Sequence, residues 1–160
     1  FVSGRIKLEN DIFNIKKTVE IIGKQLTPKA LNNKIEFNIN IEPSVSTMLG
    51  DENRIKQVLI NLLDNAFKFT PEGGKVILNA YIEENNIILE VIDNGIGILE
   101  EDLPRITEKF YKGKASKSHS GIGLSICDEI VKLHNGTMEI SSIIDEGTCV
   151  KVKLPLREEN

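Results

Sequence analysis

The sequence predicts an α/β layer fold, and three observations carry the prediction. Apolar residues recur at helical spacing in some stretches and at every second residue in others, and the two kinds of stretch alternate along the chain. Two pairs of strand-like stretches are joined by short polar turns of the hairpin kind. No repeat, low-complexity tract or long linker interrupts the 160 residues, a length that suits one core and not two full-sized domains.

Taken in order, residues 1–18 are the least patterned. Residues 18–31 read as a helix with Val19, Ile22 and Leu26 on one side, bent before Pro28. Residues 35–41 alternate strictly, so that Ile35, Phe37, Ile39 and Ile41 share one face of a strand. Asp51 is placed to cap a helix that runs to about Phe67. Two apolar strands follow, residues 76–82 and 86–92, separated by Glu83, Glu84 and Asn85 as in a hairpin. Residues 93–120 are rich in Gly, Lys and Ser and hold one short helical pattern near residues 100–108. Residues 122–133 form a helix ended by Asn135-Gly136, and residues 137–144 and 148–156 form a second hairpin around Glu146-Gly147.

Composition excludes several functions. With 20 basic and 24 acidic residues the net charge is −4, which supports neither a nucleic-acid partner nor contact with a membrane surface. No apolar run approaches the ~20 residues of a membrane span, and the first ten residues are too polar for a secretory signal, so the chain is expected to be soluble. Cys127 and Cys149 have no CxxC spacing and no nearby His pair; they are expected as small buried apolar residues of a reducing compartment.

Three stretches carry chemistry. On the helix after Asp51, an apolar stripe of Ile55, Val58, Leu59, Leu62 and Ala66 leaves Asn61, Asp64, Asn65 and Lys68 together on the other side. Asn costs up to ~0.7 kcal/mol relative to Ala inside a helix, so two of them stacked one turn apart need a reason. Amide oxygens and water can complete the octahedral shell of Mg²⁺ when phosphates supply the remaining ligands, and Lys68 can meet phosphate charge; an ordinary solvated helix face explains the same residues equally well. Asp93 shares the strand parity of Ile87, Leu89 and Val91 and therefore points toward the core layer, where an unpaired carboxylate is costly. Gly95 and Gly97 follow it, allowing close approach of a planar ligand whose exocyclic amine would satisfy the carboxylate, as adenine's would. A plain Asp-Asn-Gly turn is the simpler alternative. Ser120-Gly121-Ile122-Gly123-Leu124 opens a helix, a place where free N–H groups favour an anion. Neither glycine run completes GxGxxG and no GxxxxGK[ST] occurs, which removes Rossmann and P-loop folds. Lys112, Lys114 and Lys117, set among Gly and Ser, read as a basic loop able to close over phosphates or as a solvated surface loop.

The order Asn61-Leu62-Leu63-Asp64-Asn65-Ala66-Phe67-Lys68-Phe69-Thr70, then Asp93-Asn94-Gly95-Ile96-Gly97, then Phe110-Tyr111-Lys112, then Gly121-Ile122-Gly123-Leu124, then Gly147-Thr148, resembles the N, G1, F, G2 and G3 boxes of sensor histidine kinases. These kinases belong to the GHKL ATPase superfamily with gyrase, Hsp90 and MutL. The resemblance covers about residues 13–156, and five boxes in order are far more specific than any one of them.

The resemblance implies a two-layer α/β sandwich of the Bergerat type, a mixed sheet covered on one face by helices, with ATP held under a flexible lid. It implies a catalytic ATP-binding domain over residues 13–157, a remnant of the linker from dimerisation helices over residues 1–12, and a tail at 158–160. By position, Asp93 would bind the adenine amine, with Gly95, Gly97 and Ile98 shaping the base pocket. Asn65 would be the principal Mg²⁺ ligand, assisted by Asn61, and Lys68 and Lys112 would meet phosphates. Phe69 and Tyr111 would pack near the nucleotide, and Gly121, Ile122, Gly123 and Leu124 would line its phosphate end. Thr148 has the parity of Val150, Val152 and Leu154, so its hydroxyl would face inward and join the Asp93–adenine contact through water.

This sequence departs from the family pattern in places. Lys112 stands where many relatives have Arg, giving a point charge in place of a bidentate fork. Phe69 replaces a frequent Tyr, Thr107 the first Phe of the F box, and Ser125 the last Gly of a GLGL run. Neither His119 nor His134 has the H-E-x-x-x-P-type context of a phosphoacceptor; His119 falls in the lid and His134 near a helix end, a place for capping or packing.

The implied function is therefore transfer of the ATP γ-phosphoryl to a His of a dimerisation domain of the same parent kinase, signalling onward to a response regulator. The parent would be anchored in the bacterial membrane with this domain in the cytoplasm. A hydrolytic ATPase of the same superfamily, an anti-sigma-type Ser kinase and a nucleotide-binding scaffold are the alternatives. Hydrolytic relatives place a Glu on the helix to activate water, where Asn61 is a poor base.

Overall fold

The computed structural model describes residues 6–103 and 121–156. Its elements are β1 (Asp11–Asn14), α1 (Ile15–Asn32), β2 (Glu36–Ile41), β3 (Thr47–Gly50), α2 (Glu52–Phe69), β4 (Lys75–Glu83), β5 (Asn86–Asp93), α3 (Gly121–Leu133), β6 (Thr137–Ile143) and β7 (Gly147–Pro155).

Both expected hairpins form, β4–β5 around Glu84 and Asn85, which adopt the left-handed conformation a tight turn needs, and β6–β7 around Asp145. Joined through β5 and β7, they build a sheet in the order β2-β4-β5-β7-β6, in which only β2 and β4 run parallel. Alternation then decides what each face carries. Leu78 of β4, Leu89 and Val91 of β5, and Val152 and Leu154 of β7 belong to one buried cluster with Val19 and Ile22 of α1, Leu59 and Leu62 of α2, and Ile130 and Val131 of α3. The opposite face carries a polar ladder: Asn40 Nδ2 donates to Asn79 Oδ1 (3.0 Å), Asn79 Nδ2 to Glu90 Oε1 (3.3 Å) and the Tyr81 hydroxyl to Glu90 Oε2 (2.8 Å). The mixed sheet with helices on one face is the two-layer sandwich that the family resemblance implies.

Three local features differ from the sequence expectation. The first helix begins at Ile15, capped by the Asn14 side chain, which accepts from the Lys17 N–H, and it runs through Pro28 to Asn32. Burial of Leu26 and Ala30 on either side of Pro28 holds that last turn against the lost hydrogen bond. A separate two-stranded sheet, β1 against β3, is absent from the sequence reading, because strands of four residues are too short to show a period. Finally, Ile6 is buried in the core and Leu8 packs against it, so the described part of the stretch expected as linker is docked on the domain.

That docking has a polar counterpart. Asp51, the N-cap of α2, accepts from the backbone N–H groups of Arg54 (3.2 Å) and Glu9 (2.8 Å), while its own N–H donates to Nε2 of His134 (3.0 Å). Nδ1 of His134 lies 2.8 Å from the Ile130 carbonyl and must carry the ring proton, since Nε2 is accepting. His134, 4 % exposed, is thus a buried link between the end of α3 and the start of α2. His134→Ala leaves the Asp51 N–H without an acceptor and is expected to cost about 2 kcal/mol of stability, read from the urea midpoint.

Candidate active site

A cleft opens where the end of α2, the end of β5 and the start of β7 converge beneath α3. Its floor is apolar, with Leu62, Val91, Ile140 and Val150, and its rim carries Asn65 and Phe69 from α2, Asp93, Gly97 and Ile98 from β5 and the loop after it, Leu124 from α3 and Thr148 from β7. Such a cavity, mostly apolar with few polar groups, has the makeup of a small-molecule site.

Asp93 ends β5 on the side of Val91, as its parity requires, and its Oδ1 accepts the N–H groups of Gly95 (2.8 Å) and Thr148 (3.3 Å). Burial raises its carboxyl pKa above the ordinary value, and those two backbone donors oppose the rise. A half-satisfied, largely buried carboxylate is a ready acceptor for a donor on a ligand.

The glycines that follow fit tightly for reasons internal to the fold. A Cβ on Gly95 would stand 2.3 Å from the Phe69 carbonyl oxygen, which also accepts the Ile96 N–H. A Cβ on Gly97, at φ +76°, would meet the Ile143 carbonyl at 2.4 Å. The close approach that the sequence suggests for a ligand is thus made by the protein's own backbone, which clamps the loop between α2 and the β6–β7 turn. Gly147 is the most constrained: φ is +134° and a Cβ would stand 2.0 Å from the Asp93 carbonyl oxygen. Gly147→Ala is expected to cost about 3 kcal/mol or more, because strain and collision fall on one residue; chemical denaturation measures it.

One residue of this clamp is missing from the sequence reading. Ser142 of β6 accepts the Ile98 N–H (2.7 Å), donates to the Gly147 carbonyl (2.8 Å) and lies 2.9 Å from the Thr148 hydroxyl. Its only sequence signal is its parity with Met138 and Ile140, both packed on the core, which makes it an inward-facing serine at a strand end.

The two asparagines of α2 separate. Asn65 lines the cleft and Asn61 does not; one α-helical turn back it lies by the Cys127 thiol of α3, which donates to the Val58 carbonyl (3.9 Å). Burial pushes that thiol up to about 12, against the opposing effect of Asn61, so Cys127 is an unreactive core group as its sequence context suggests. Asp64 turns away to pair with Lys29 of α1 at 2.9 Å, and Lys68 stands 5.6 Å over the Phe69 ring. Gly121, Ile122 and Gly123 form the first turn of α3, whose leading N–H groups have no partner within the helix, and Leu124 behind them is buried at the cleft. Tyr111 and Lys112, with Thr107, Phe110, Lys114, Lys117 and His119, lie outside the described residues.

Among the described residues no cluster of three His, Cys, Asp or Glu side chains suits a metal ion. The Asn65 amide is a neutral oxygen donor of the kind Mg²⁺ accepts, which fits an ion held jointly by this chain and the phosphates of a ligand. No helix among the described residues is long and apolar enough to cross a membrane.

Residues 50–158 match the family model described as histidine kinase-, DNA gyrase B-, and HSP90-like ATPase. The sensor protein KdpD of Clostridium acetobutylicum is 32 % identical over 159 residues, which are 97 % of this chain and 17 % of that protein. The adaptive-response sensory kinase SasA of Rippkaea orientalis is 38 % identical over 120 residues, 73 % of this chain and 31 % of that one. This chain therefore spans less than a third of the length of either relative. Among solved structures, the catalytic domain of histidine kinase ThkA superposes with a TM-score of 0.82 at 27 % identity, covering 92 % of this chain and 98 % of that one. Full-length ShkA in complex with AMPPNP superposes with a TM-score of 0.84 at 26 % identity, covering 96 % of this chain and 32 % of that one. With the family model matched over most of its length and its sandwich superposing on a solved catalytic domain, the chain belongs to the histidine kinase-, gyrase- and HSP90-like ATPase family, among the catalytic domains of sensor histidine kinases.

Proposed function

We propose that this domain binds ATP with Mg²⁺ in the cleft and transfers the γ-phosphoryl to a histidine on the dimerisation domain of its parent kinase, from which a response regulator is served. One observation carries the reading: a single cleft gathers an acceptor for an amine, Asp93, a neutral amide, Asn65, and Leu124 from the first turn of α3, a helix N-terminus.

Asp93 would accept the adenine amine, and the base would lie between Ile98 and the apolar floor. Asn65 would hold Mg²⁺ together with phosphate oxygens, Asn61 would assist from one turn earlier, and the N–H groups at Gly121 and Gly123 would take phosphate charge with Lys68 and Lys112. When bound, Mg²⁺ neutralises charge developing on the phosphates. In the transfer the bond from the γ-phosphorus to its bridging oxygen breaks, a phosphorus–nitrogen bond forms, and ADP leaves. The imidazole proton passes to an acidic neighbour on the acceptor domain. No side chain of this domain acts as a base in that scheme, and its contribution is position and charge.

The test supplies the isolated domain with labelled ATP, Mg²⁺ and the separately produced dimerisation domain. Label on the acceptor is the expected result, in modest yield because the tether that concentrates the two domains is lost. Free phosphate without labelled acceptor would replace this reading with a hydrolytic ATPase, and binding without either product would replace it with a scaffold.

A further inference from the structure

We infer that Ser142 sets the base specificity of the cleft by fixing the direction of the Thr148 hydroxyl, an inference that rests on the cleft being the nucleotide site. The argument is a count of protons. A serine hydroxyl has one proton to give and two lone pairs to receive with. The Gly147 carbonyl oxygen, 2.8 Å from Ser142 Oγ, can only accept, so the serine proton is committed there. The Ile98 N–H, at 2.7 Å, fills one of the serine's lone pairs. The remaining contact, 2.9 Å to Thr148 Oγ1, is a hydrogen bond only if the threonine is the donor. With its proton spent on Ser142, the Thr148 hydroxyl can turn only lone pairs toward the cleft it lines.

Its neighbour Asp93 is an acceptor as well, with Oδ1 already engaged by the Gly95 and Thr148 N–H groups. This end of the cleft therefore presents acceptors alone. A ring edge that brings an exocyclic amine is matched by it. A keto oxygen at the same position meets lone pairs, directly or through a water whose protons are already directed to Thr148 and Asp93. Ser142 touches no ligand in this scheme and is a positioning residue; it makes the threonine read amine against keto. Sites built around fixed buried hydrogen-bonding groups discriminate strongly against a ligand that leaves those groups unpaired.

The experiment compares ADP with inosine diphosphate, which carries a keto oxygen in place of the amine, by titration calorimetry with Mg²⁺ on the wild type, Ser142→Ala and Ser142→Thr. The wild type is expected to prefer ADP by ~100-fold or more. In Ser142→Ala the Thr148 proton is released to point into the cleft, and the preference should narrow about tenfold, chiefly through tighter binding of inosine diphosphate. Ser142→Thr keeps the hydroxyl and should keep the preference. A purely structural role for Ser142 would weaken both ligands together and leave their ratio unchanged, which would overturn the inference. If Ser142→Ala does not fold, Ser142→Cys takes its place: the thiol is a weak donor and acceptor and should narrow the preference, and an unchanged ratio there, or a narrowed one in Ser142→Thr, is equally adverse. A wild type that binds neither ligand removes the nucleotide reading and this inference with it, whereas one that binds both alike removes the inference alone. A selective wild type with an equally selective Ser142→Ala removes the inference alone.

Discussion

Asp93→Asn is expected to weaken ADP binding about 100-fold while leaving the ligand-free domain at least as stable as the wild type at neutral pH. The two halves of this expectation come from the same carboxylate. In the empty cleft, burial raises the Asp93 carboxyl pKa above its ordinary value, more than the Gly95 and Thr148 N–H groups lower it. A folded-state value above the unfolded one means that the fold holds the proton more tightly than the unfolded chain does. The stabilisation this confers is fully present below the ordinary carboxylate range and is lost as pH rises through the raised value, so at neutral pH the ionised group is a net burden. Asn keeps an oxygen for the two N–H groups and removes the charge. In the complex the balance reverses. A hydrogen bond to a charged acceptor is worth about 1.5–3 kcal/mol, and the amide that replaces it can turn an N–H against the amine; each 1.4 kcal/mol is tenfold in affinity. Calorimetry measures the affinity, and thermal melts between pH ~4 and ~7 measure the stability, in which the wild type should lose ground to Asn with rising pH. Equal affinity in the two proteins would take Asp93 out of the base site. Since the chain contains no Trp, indole fluorescence cannot report either quantity.

Why the residues of this cleft were unequally readable in the sequence follows from what each of them depends on. Asp93 and Thr148 are legible because a strand has a strict period of two: once Val91 and Val150 are placed inward, their neighbours two residues away must follow. The stripe of α2 is legible for the same kind of reason, and it correctly separates Leu59 and Leu62, which go into the core, from Asn65, which does not. Periodicity says which side a residue faces and nothing about what it meets there. It therefore could not divide Asn61, which is not among the residues lining the cleft, from Asn65, which lines it, nor send Asp64 across to Lys29. Ser142 was invisible for a further reason: its role exists only because the β6–β7 turn folds back over the loop after β5, a contact between residues 44 positions apart. The glycines were legible as glycines, but not the backbone atoms of Phe69, Ile143 and Asp93 that occupy the space their side chains would need.

Asn65→Ala should abolish phosphoryl transfer to the separately supplied dimerisation domain, with a loss of at least ~10³-fold, while part of the ADP affinity survives through Asp93. Asn65 projects from the fourth turn of α2 into the same cleft as Asp93 and Thr148, and no Asp or Glu cluster among the described residues offers the metal a substitute ligand. Without its principal ligand the ion would be left to phosphates, water and the assisting Asn61, which do not fix the γ-phosphoryl or aim it at an acceptor; positioning of that kind accounts for most of what a phosphoryl-transfer site provides. The truncation also removes little from the fold, because Asn65 is only partly buried and the neighbouring core contacts of α2 come from Leu62, Leu63 and Ala66. Loss of transfer should therefore come with a melting temperature near that of the wild type. The chemistry of the product decides between acceptors: a phosphohistidine is lost in acid and survives base, whereas a phosphoserine survives acid. An acid-labile, base-stable label on the dimerisation domain, present with the wild type and absent with Asn65→Ala, is the expected outcome. An acid-stable label would mean that the γ-phosphoryl goes to a hydroxyl, and undiminished transfer in Asn65→Ala would mean that the metal is held elsewhere.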